Sequence, residues 1–259
     1  MRVIQPRIQS TGVIVKSPGE IDVMRQAGKV VAQTVRALLA AVRPGITTAE
    51  LDAIAEATIR GVGATPSFKG YRGFPASICT SLNEQVVHGI PGKRVVKDGD
   101  IVSLDVGAIV EGFHGDSAVT VCIGHVTPQA RALVEAGEAS LYAGIRMMRA
   151  GNRMGDVSWA AQQAAESQGF SVVREYVGHG IGRQLHEEPA VPNFGAPGKG
   201  LLLQPGMVLA IEPMVNAGTW ATKVLDDGWT VVTQDGSWSS HWEHTVAILE
   251  SGPEILTAR

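Results

Sequence analysis

One order of signals runs through this chain twice. Each pass reads as a helix, a Pro-Gly or Ala-Gly stop, a second helix, short strands, and a Gly-led turn into a strand that ends in an acid. Gly45 and Gly151 lie 106 positions apart, and Gly99 and Gly206 lie 107 apart. Asp105 and Glu212 repeat the interval of 107. His88-Gly89-Ile90 answers His179-Gly180-Ile181 at 91, which calls for 16 extra residues after His179. The Gly/Pro-rich stretch from Pro192 to Leu203 has room for them. A duplication of this kind predicts two similar halves, about 17-125 and 126-250, packed about a pseudo-twofold axis that brings Asp105 and Glu212 together. No linker or low-complexity stretch divides them, so 1-259 is expected to form a single domain, with 1-16 a short N-terminal segment.

Local signals agree with that order. Ser17-Pro18-Gly19-Glu20 forms a capping box with proline at the first helical position. Ile21, Met24, Val31, Val35, Leu38, Leu39 and Val42 then recur at helical spacing up to Pro44-Gly45. Thr47 and Glu50 open a second helix through Leu51, Ile54, Ala55 and Ile59 to Gly61. Ile101–Val106 and Ser117–Ile123 read as a hairpin with its turn near Glu111-Gly112. Thr127-Pro128 opens a third helix, and Asp156–Ser167 reads as a fourth, ended by Gly169.

Composition removes several function classes. A net charge of −3 leaves no basic excess for nucleic acid or anionic membrane. Two cysteines, Cys79 and Cys122, supply neither a disulfide framework nor a Cys-rich zinc site, and fit a reduced cytosolic setting. Met1–Ser10 lacks a signal-peptide core, and no apolar run of about 18 residues is present to cross a bilayer.

The chemistry concentrates in acids placed on apolar strands. Asp105 shares a strand face with Ile101 and Ser103, and Asp116 shares one with Ala118 and Thr120. The hairpin makes these two acids cross-strand or diagonal neighbours; taken alone, Asp116 also fits a solvated turn acid. Glu212 closes the apolar run Met207–Ile211, and Glu243 opens Trp242–Ile248. A carboxylate on such strands is costly unless it is paired or metal-bound. Of seven histidines, His179 stands between Gly178 and Gly180, which would let backbone approach a metal or ligand; His88 and His186 are further candidates. Each alone equally fits an ordinary polar histidine. His114, His125, His241 and His244 are expected at the surface or behind the site. Four carboxylates with one or two imidazoles suit a pair of divalent ions, Mn, Fe, Co or Mg in preference to a structural zinc.

Taken together, Cys79-Thr80-Ser81-Leu82-Asn83-Glu84 through His88-Gly89-Ile90-Pro91, then Asp105-Val106-Gly107, His114-Gly115-Asp116, Gly178–Gly182, Glu212-Pro213 and Trp242-Glu243-His244-Thr245, make the sequence resemble type I methionine aminopeptidases over about residues 12 to 256. The resemblance implies an α/β (α+β) pita-bread fold: a curved antiparallel sheet covered by two helix pairs, with internal pseudo-twofold symmetry. It implies a single catalytic domain that removes N-terminal methionine from nascent polypeptides when the second residue is small. Asp105, Asp116, His179, Glu212 and Glu243 would hold two divalent ions (Co, Mn, Fe or Zn) around a bridging hydroxide, with Glu212 also shuttling a proton. His88 and His186 would orient the substrate amide and stabilise the tetrahedral intermediate. Tyr71, Phe74, Cys79 and Trp229 match the methionine-pocket positions. A monovalent cation near the carbonyls of Asn83 and Gln85, a cytoplasmic monomer, no DNA or membrane partner, and transient ribosome contact belong to the same expectation.

The departures touch the pocket. Val87 stands where some members carry Cys, Phe74 where Tyr is common, and Leu185 where some carry an aromatic residue. The 31 residues from Glu212 to Glu243 leave no room for the helical insertion of type II enzymes, and the N-terminus is too short for a zinc-binding extension. The alternatives are a proline-specific peptidase (prolidase or aminopeptidase P), whose large N-terminal domain the 16 residues ahead of the first helix do not supply, or an inactive pita-bread protein binding ribosomes or RNA. Since Arg2 is long, Met1 of this chain is expected to stay on.

Overall fold

The computed structural model describes residues 7–8 and 12–259; the expectation for Met1 and Arg2, and most of the segment 1–16, lies outside them. Four helices carry the frame: α1 (Pro18–Ala41), α2 (Thr48–Gly61), α3 (Pro128–Met147) and α4 (Met154–Glu166). Both predicted capping boxes form. The Glu20 carboxylate accepts from Ser17 N at 2.9 Å, and that of Glu50 from Thr47 N at 2.8 Å. Thr127 Oγ1 accepts from Ala130 N at 3.1 Å to start α3. Helix α4 begins two residues earlier than expected, because Asp156 is not its start. The Asp156 carboxylate sits one turn in and reaches back to Arg153 N at 2.7 Å.

The hairpin pairs Ile101–Val110 with Phe113–Cys122 in unbroken register, longer at its inner ends than the apolar pattern suggested. Glu111 and Gly112 both have positive φ, 48° and 78°, as a two-residue turn matched to strand twist requires. Ile78–Leu82 pairs on the free edge of Ile101–Val110. The second half repeats the arrangement with Gly178–Gly180, Val208–Ile211 and His244–Leu249, all antiparallel.

Hydrogen bonds make the duplication explicit. Gly45 N bonds Val96 O at 2.8 Å, and Gly151 N bonds Leu203 O at 3.1 Å. Ala49 N bonds Gly92 O and Gly155 N bonds Lys199 O, both at 2.9 Å. Gly99 N bonds Ile123 O, and Gly206 N bonds Ile248 O, both at 2.8 Å. The last pair sets the interval on the returning strands at 125, not 107. The second half therefore carries 18 more residues between its central strands.

The His-Gly-Ile match is a coincidence of sequence, and it corrects the interval of 91. His179 pairs with Ala210, whose counterpart 107 residues earlier is Ser103, and Ser103 pairs with Ser81. His88 lies outside any strand, at φ 60°.

The halves meet along a seam stitched by hydroxyls. Thr245 Oγ1 donates to Asp116 O at 2.8 Å and accepts from Asp116 N at 2.9 Å. Thr120 Oγ1 makes the same two bonds to His241 O and N, at 2.8 and 2.9 Å. Glu243 N donates to Ala118 O at 3.0 Å between them.

Helix α1 packs against the C-terminal segment closely enough to forbid a side chain at Gly28. A Cβ there would lie 2.1 Å from Leu256 O, a backbone atom that cannot yield without moving the C-terminal strand Gly252–Ile255. Gly28→Ala should therefore destabilise the chain by about 1–3 kcal/mol despite alanine's better helix propensity, read as a lower urea midpoint. An unchanged or raised midpoint would contradict this packing.

Candidate metal centre

The strands bring the five predicted ligand groups together from both halves. Asp105 lies opposite Ala118 across the hairpin, and Asp116 opposite Gly107, so the two acids are diagonal neighbours on one face. Glu212 follows the strand Val208–Ile211, and Glu243 precedes its partner His244–Leu249, where Ile211 pairs with His244. His179 enters from the other side of Val208–Ile211, paired with Ala210. Ligating atoms of Asp116, His179 and Glu243 all lie within 4.8 Å of one another. Glu212 Oε1 is 3.6 Å from His179 Nε2. All five line one cavity of about 140 Å³.

Burial makes this an electrostatic problem. Asp116 is 4% and Glu243 2% exposed, so Asp116 is no solvated turn acid. Desolvation pushes Asp105 up to about 6 and Glu212 up to about 8. Asp116 and Glu243 stand well above the carboxylate range, by desolvation first and then by the neighbouring acids. Asp105 Oδ1, Asp116 Oδ1 and Glu243 Oε1 are buried without a hydrogen-bond partner among the described residues. Such oxygens are costly unless a cation meets them. Burial lowers His179 to about 3, which keeps its imidazole neutral and available as a ligand. The Cys79 thiol, paired with Asp105 across the strands, is pushed well up and stays protonated. Oxygen donors, one neutral imidazole and no thiolate fit hard-to-borderline divalent ions.

The remaining walls are aromatic. Phe74 and Trp229 meet edge to face at 5.1 Å, and His88 lies 6.2 Å from Trp229. Tyr71 stacks on His186 at 5.4 Å, and its hydroxyl is 2.9 Å from His186 Nδ1. His186 in turn lies 4.2 Å from His179. Every predicted pocket residue (Tyr71, Phe74, Cys79, His88, His186, Trp229) lines the cavity, as do Phe68, Arg72 and Leu185. Phe68 and Arg72 were not singled out in the sequence; their nearness to Tyr71 was the available signal.

One reading of the histidines changes, and another narrows. Gly178 and Gly180 do not open His179 to a ligand. A Cβ at Gly178 would lie 2.3 Å from Ala210 O, and one at Gly180 2.2 Å from Glu188 O, so both glycines admit neighbouring strand backbone. His114, His241 and His244 are buried, leaving only His125 of that group at the surface. His114 bonds Ser67 Oγ at 2.9 Å and His244 bonds Thr257 Oγ1 at 2.8 Å. His241 Nε2 reaches to 3.5 Å from Glu212 Oε2.

Metallopeptidase family M24 matches residues 22–250. The chain is 57% identical over 245 residues to the methionine aminopeptidase of Clostridium perfringens, covering 95% of this chain and 98% of that one. The crystal structure of methionine aminopeptidase from Thermotoga maritima matches with a TM-score of 0.93 at 46% identity, covering 98% of this chain and 100% of that one. The expected fold is thus the observed one. The prolidase from Pyrococcus furiosus shares the fold alone, with a TM-score of 0.78 at 21% identity and 65% of its chain covered.

The raised carboxylates set the sign of a pH effect. Their ordinary values lie near 4, so the protons they retain in the metal-free fold stabilise it fully at low pH, and that contribution is lost as pH rises through about 6 for Asp105 and about 8 for Glu212. The buried neutral histidines act oppositely, but only below about pH 6.5. Between pH 6.5 and 8.5 the melting temperature of the chelated protein should therefore fall, and the rise produced by added Mn2+ should grow. A Mn2+ increment that stays flat across this window would refute charge compensation as the link between metal and fold.

Proposed function

The chain belongs to metallopeptidase family M24, among its type I methionine aminopeptidases, and from that membership we propose how its cavity releases an N-terminal methionine ahead of a small second residue. The observation that carries the reading is the convergence of four buried carboxylates and one neutral imidazole at the floor of an aromatic-walled cavity.

Asp105, Asp116, His179, Glu212 and Glu243 would hold two divalent ions, drawn from Co, Mn, Fe or Zn. Bound there, such a pair supplies an activated water at neutral pH and polarises a carbonyl. The chain's own residues do the rest. Glu212, whose two oxygens face His179 and His241, would accept a proton and deliver it to the leaving amine. Burial lowers His88 to about 4, so its neutral ring can hydrogen-bond the substrate amide without adding charge. The Tyr71 hydroxyl engages His186 Nδ1, leaving Nε2 for the developing oxyanion. Tyr71, Phe74, Cys79 and Trp229 offer the methionine side chain aromatic faces and a protonated thiol. A small, half-open cavity would admit a chain end and exclude a long second side chain by clash.

The proposed setting is the cytoplasm, as a monomer acting on chains that leave the ribosome, with a monovalent cation near Asn83 and Gln85. The free cysteines Cys79 and Cys122 support the reduced compartment.

The deciding assay titrates chelated protein separately with Mn2+, Fe2+, Co2+ and Zn2+ and follows methionine release from Met-Ala-Ser. Prompt release is expected with at least one ion, with no action on an X-Pro dipeptide; the reverse pattern would overturn the choice. Asp105→Ala or Glu243→Ala should cost more than the ~10²–10⁴-fold typical of one general acid or base; near-normal turnover in either would refute the ligand set. His186→Ala should lower kcat while metal content is kept, and loss of metal would show that its role is misassigned.

A further inference from the structure

The twofold relation assigns each cavity-facing position a counterpart. Asp105 corresponds to Glu212 at the interval of 107, and Asp116 corresponds to His241 at 125. The seam repeats this correspondence bond for bond, since Thr245 grips the backbone of Asp116 as Thr120 grips that of His241. In the first half the second side chain of the pair is an acid beside Asp105. In the second half it is an imidazole beside Glu212.

His241 is held so that its ring has little choice of direction. Its backbone is bonded on one side by Thr120 and paired on the other with Met214. It is 2% exposed, and Nε2 is buried without a hydrogen-bond partner among the described residues. A donor left in that condition is costly. Glu212 Oε2, at 3.5 Å, is the acceptor it faces, while Glu212 Oε1 lies 3.6 Å from His179 Nε2 on the other side. The two oxygens of Glu212 therefore face two imidazoles, only one of which belongs to the ligand set. His241 is not among the cavity walls, and the carboxylate its Nε2 approaches is that of Glu212.

We propose that His241 is a positioning residue for Glu212: its Nε2–H holds Oε2 and fixes the plane of the carboxylate, so that Oε1 is presented to the metal site. The inference rests on the metal-site reading above. A ligating carboxylate tied on its outer oxygen loses rotational freedom before the ion arrives, which strengthens binding without a further ligand. Where the first half carries an acid the second half carries a donor, so only one half supplies the diagonal acid pair.

The test is calorimetric titration of the chelated full-length protein with Mn2+. His241→Leu should lower Mn2+ affinity about 10–100-fold, the usual range for losing an outer partner of a ligand. His241→Gln, which restores an N–H of similar reach, should stay within a few-fold of wild type. Metal-free melting temperatures should show both variants folded, with His241→Leu no less stable than His241→Gln. Wild-type affinity in the leucine variant, or a glutamine variant as weak as the leucine one, would overturn the proposal. A wild-type chain that binds no Mn2+ would overturn the metal-site reading itself, and this inference with it.

Discussion

Four carboxylates share one small cavity, and Arg72 is the one lysine or arginine among its lining residues. That conflict governs the rest of the structure. Asp105, Asp116, Glu212 and Glu243 all hold a proton more tightly than an ordinary carboxylate, and three of them have an oxygen that nothing among the described residues satisfies. A flexible scaffold would relax by turning these side chains to solvent. This one cannot, because each acid sits on or at the end of a strand paired with its neighbours. The fold therefore holds a charge deficit in place, and divalent cations are the counterpart that removes it at neutral pH.

Rigidity at the centre comes from the seam. Two halves that met through ordinary ladders alone would slide in register as a unit. Thr120 and Thr245 instead clamp single residues, His241 and Asp116, by both their N–H and C=O groups. Ser117 Oγ adds a bond to Glu243 O at 2.7 Å. A shift of one residue would break all of these and turn Asp116 to the opposite face. Helix α1 backs the same region, where a Cβ on Gly115 would come 3.0 Å from Gly28 N. The backbone at the ligands is thus fixed from behind by glycine-mediated contact and from the side by hydroxyls.

Much of this was legible in the sequence, for identifiable reasons. Capping boxes at Ser17 and Thr47 and the alternation around Asp105 are local signals, and local signals need no tertiary partner to be read. The repeat was legible where turns require positive φ, at Gly45, Gly99, Gly151 and Gly206. It was misread at His88 and His179, because three matching letters carry less information than a strand register. The roles of Gly178 and Gly180 were misassigned for a related reason: close approach was foreseen, but what approaches is another strand. His241 was expected at the surface or behind the site, but its correspondence to Asp116 went unread although a signal existed. Thr120-Val121-Cys122-Ile123 and Thr245-Val246-Ala247-Ile248 share Thr-Val-x-Ile at the interval of 125, and extending that match backwards sets His241 against Asp116.

Symmetry also separates the buried acids from the aromatic walls. Asp105, Asp116, Glu212 and Glu243 lie on segments that both halves possess. The aromatic walls lie where the halves differ. From Gly63 to Ser81 the first half is eight residues longer than Gly169 to His179, and that excess carries Phe68, Tyr71 and Phe74. The 18 additional residues between the central strands of the second half carry Trp229, which meets Phe74 at 5.1 Å. The unpaired loops can be rebuilt without moving the acids, since the seam that fixes the acids makes no use of those loops.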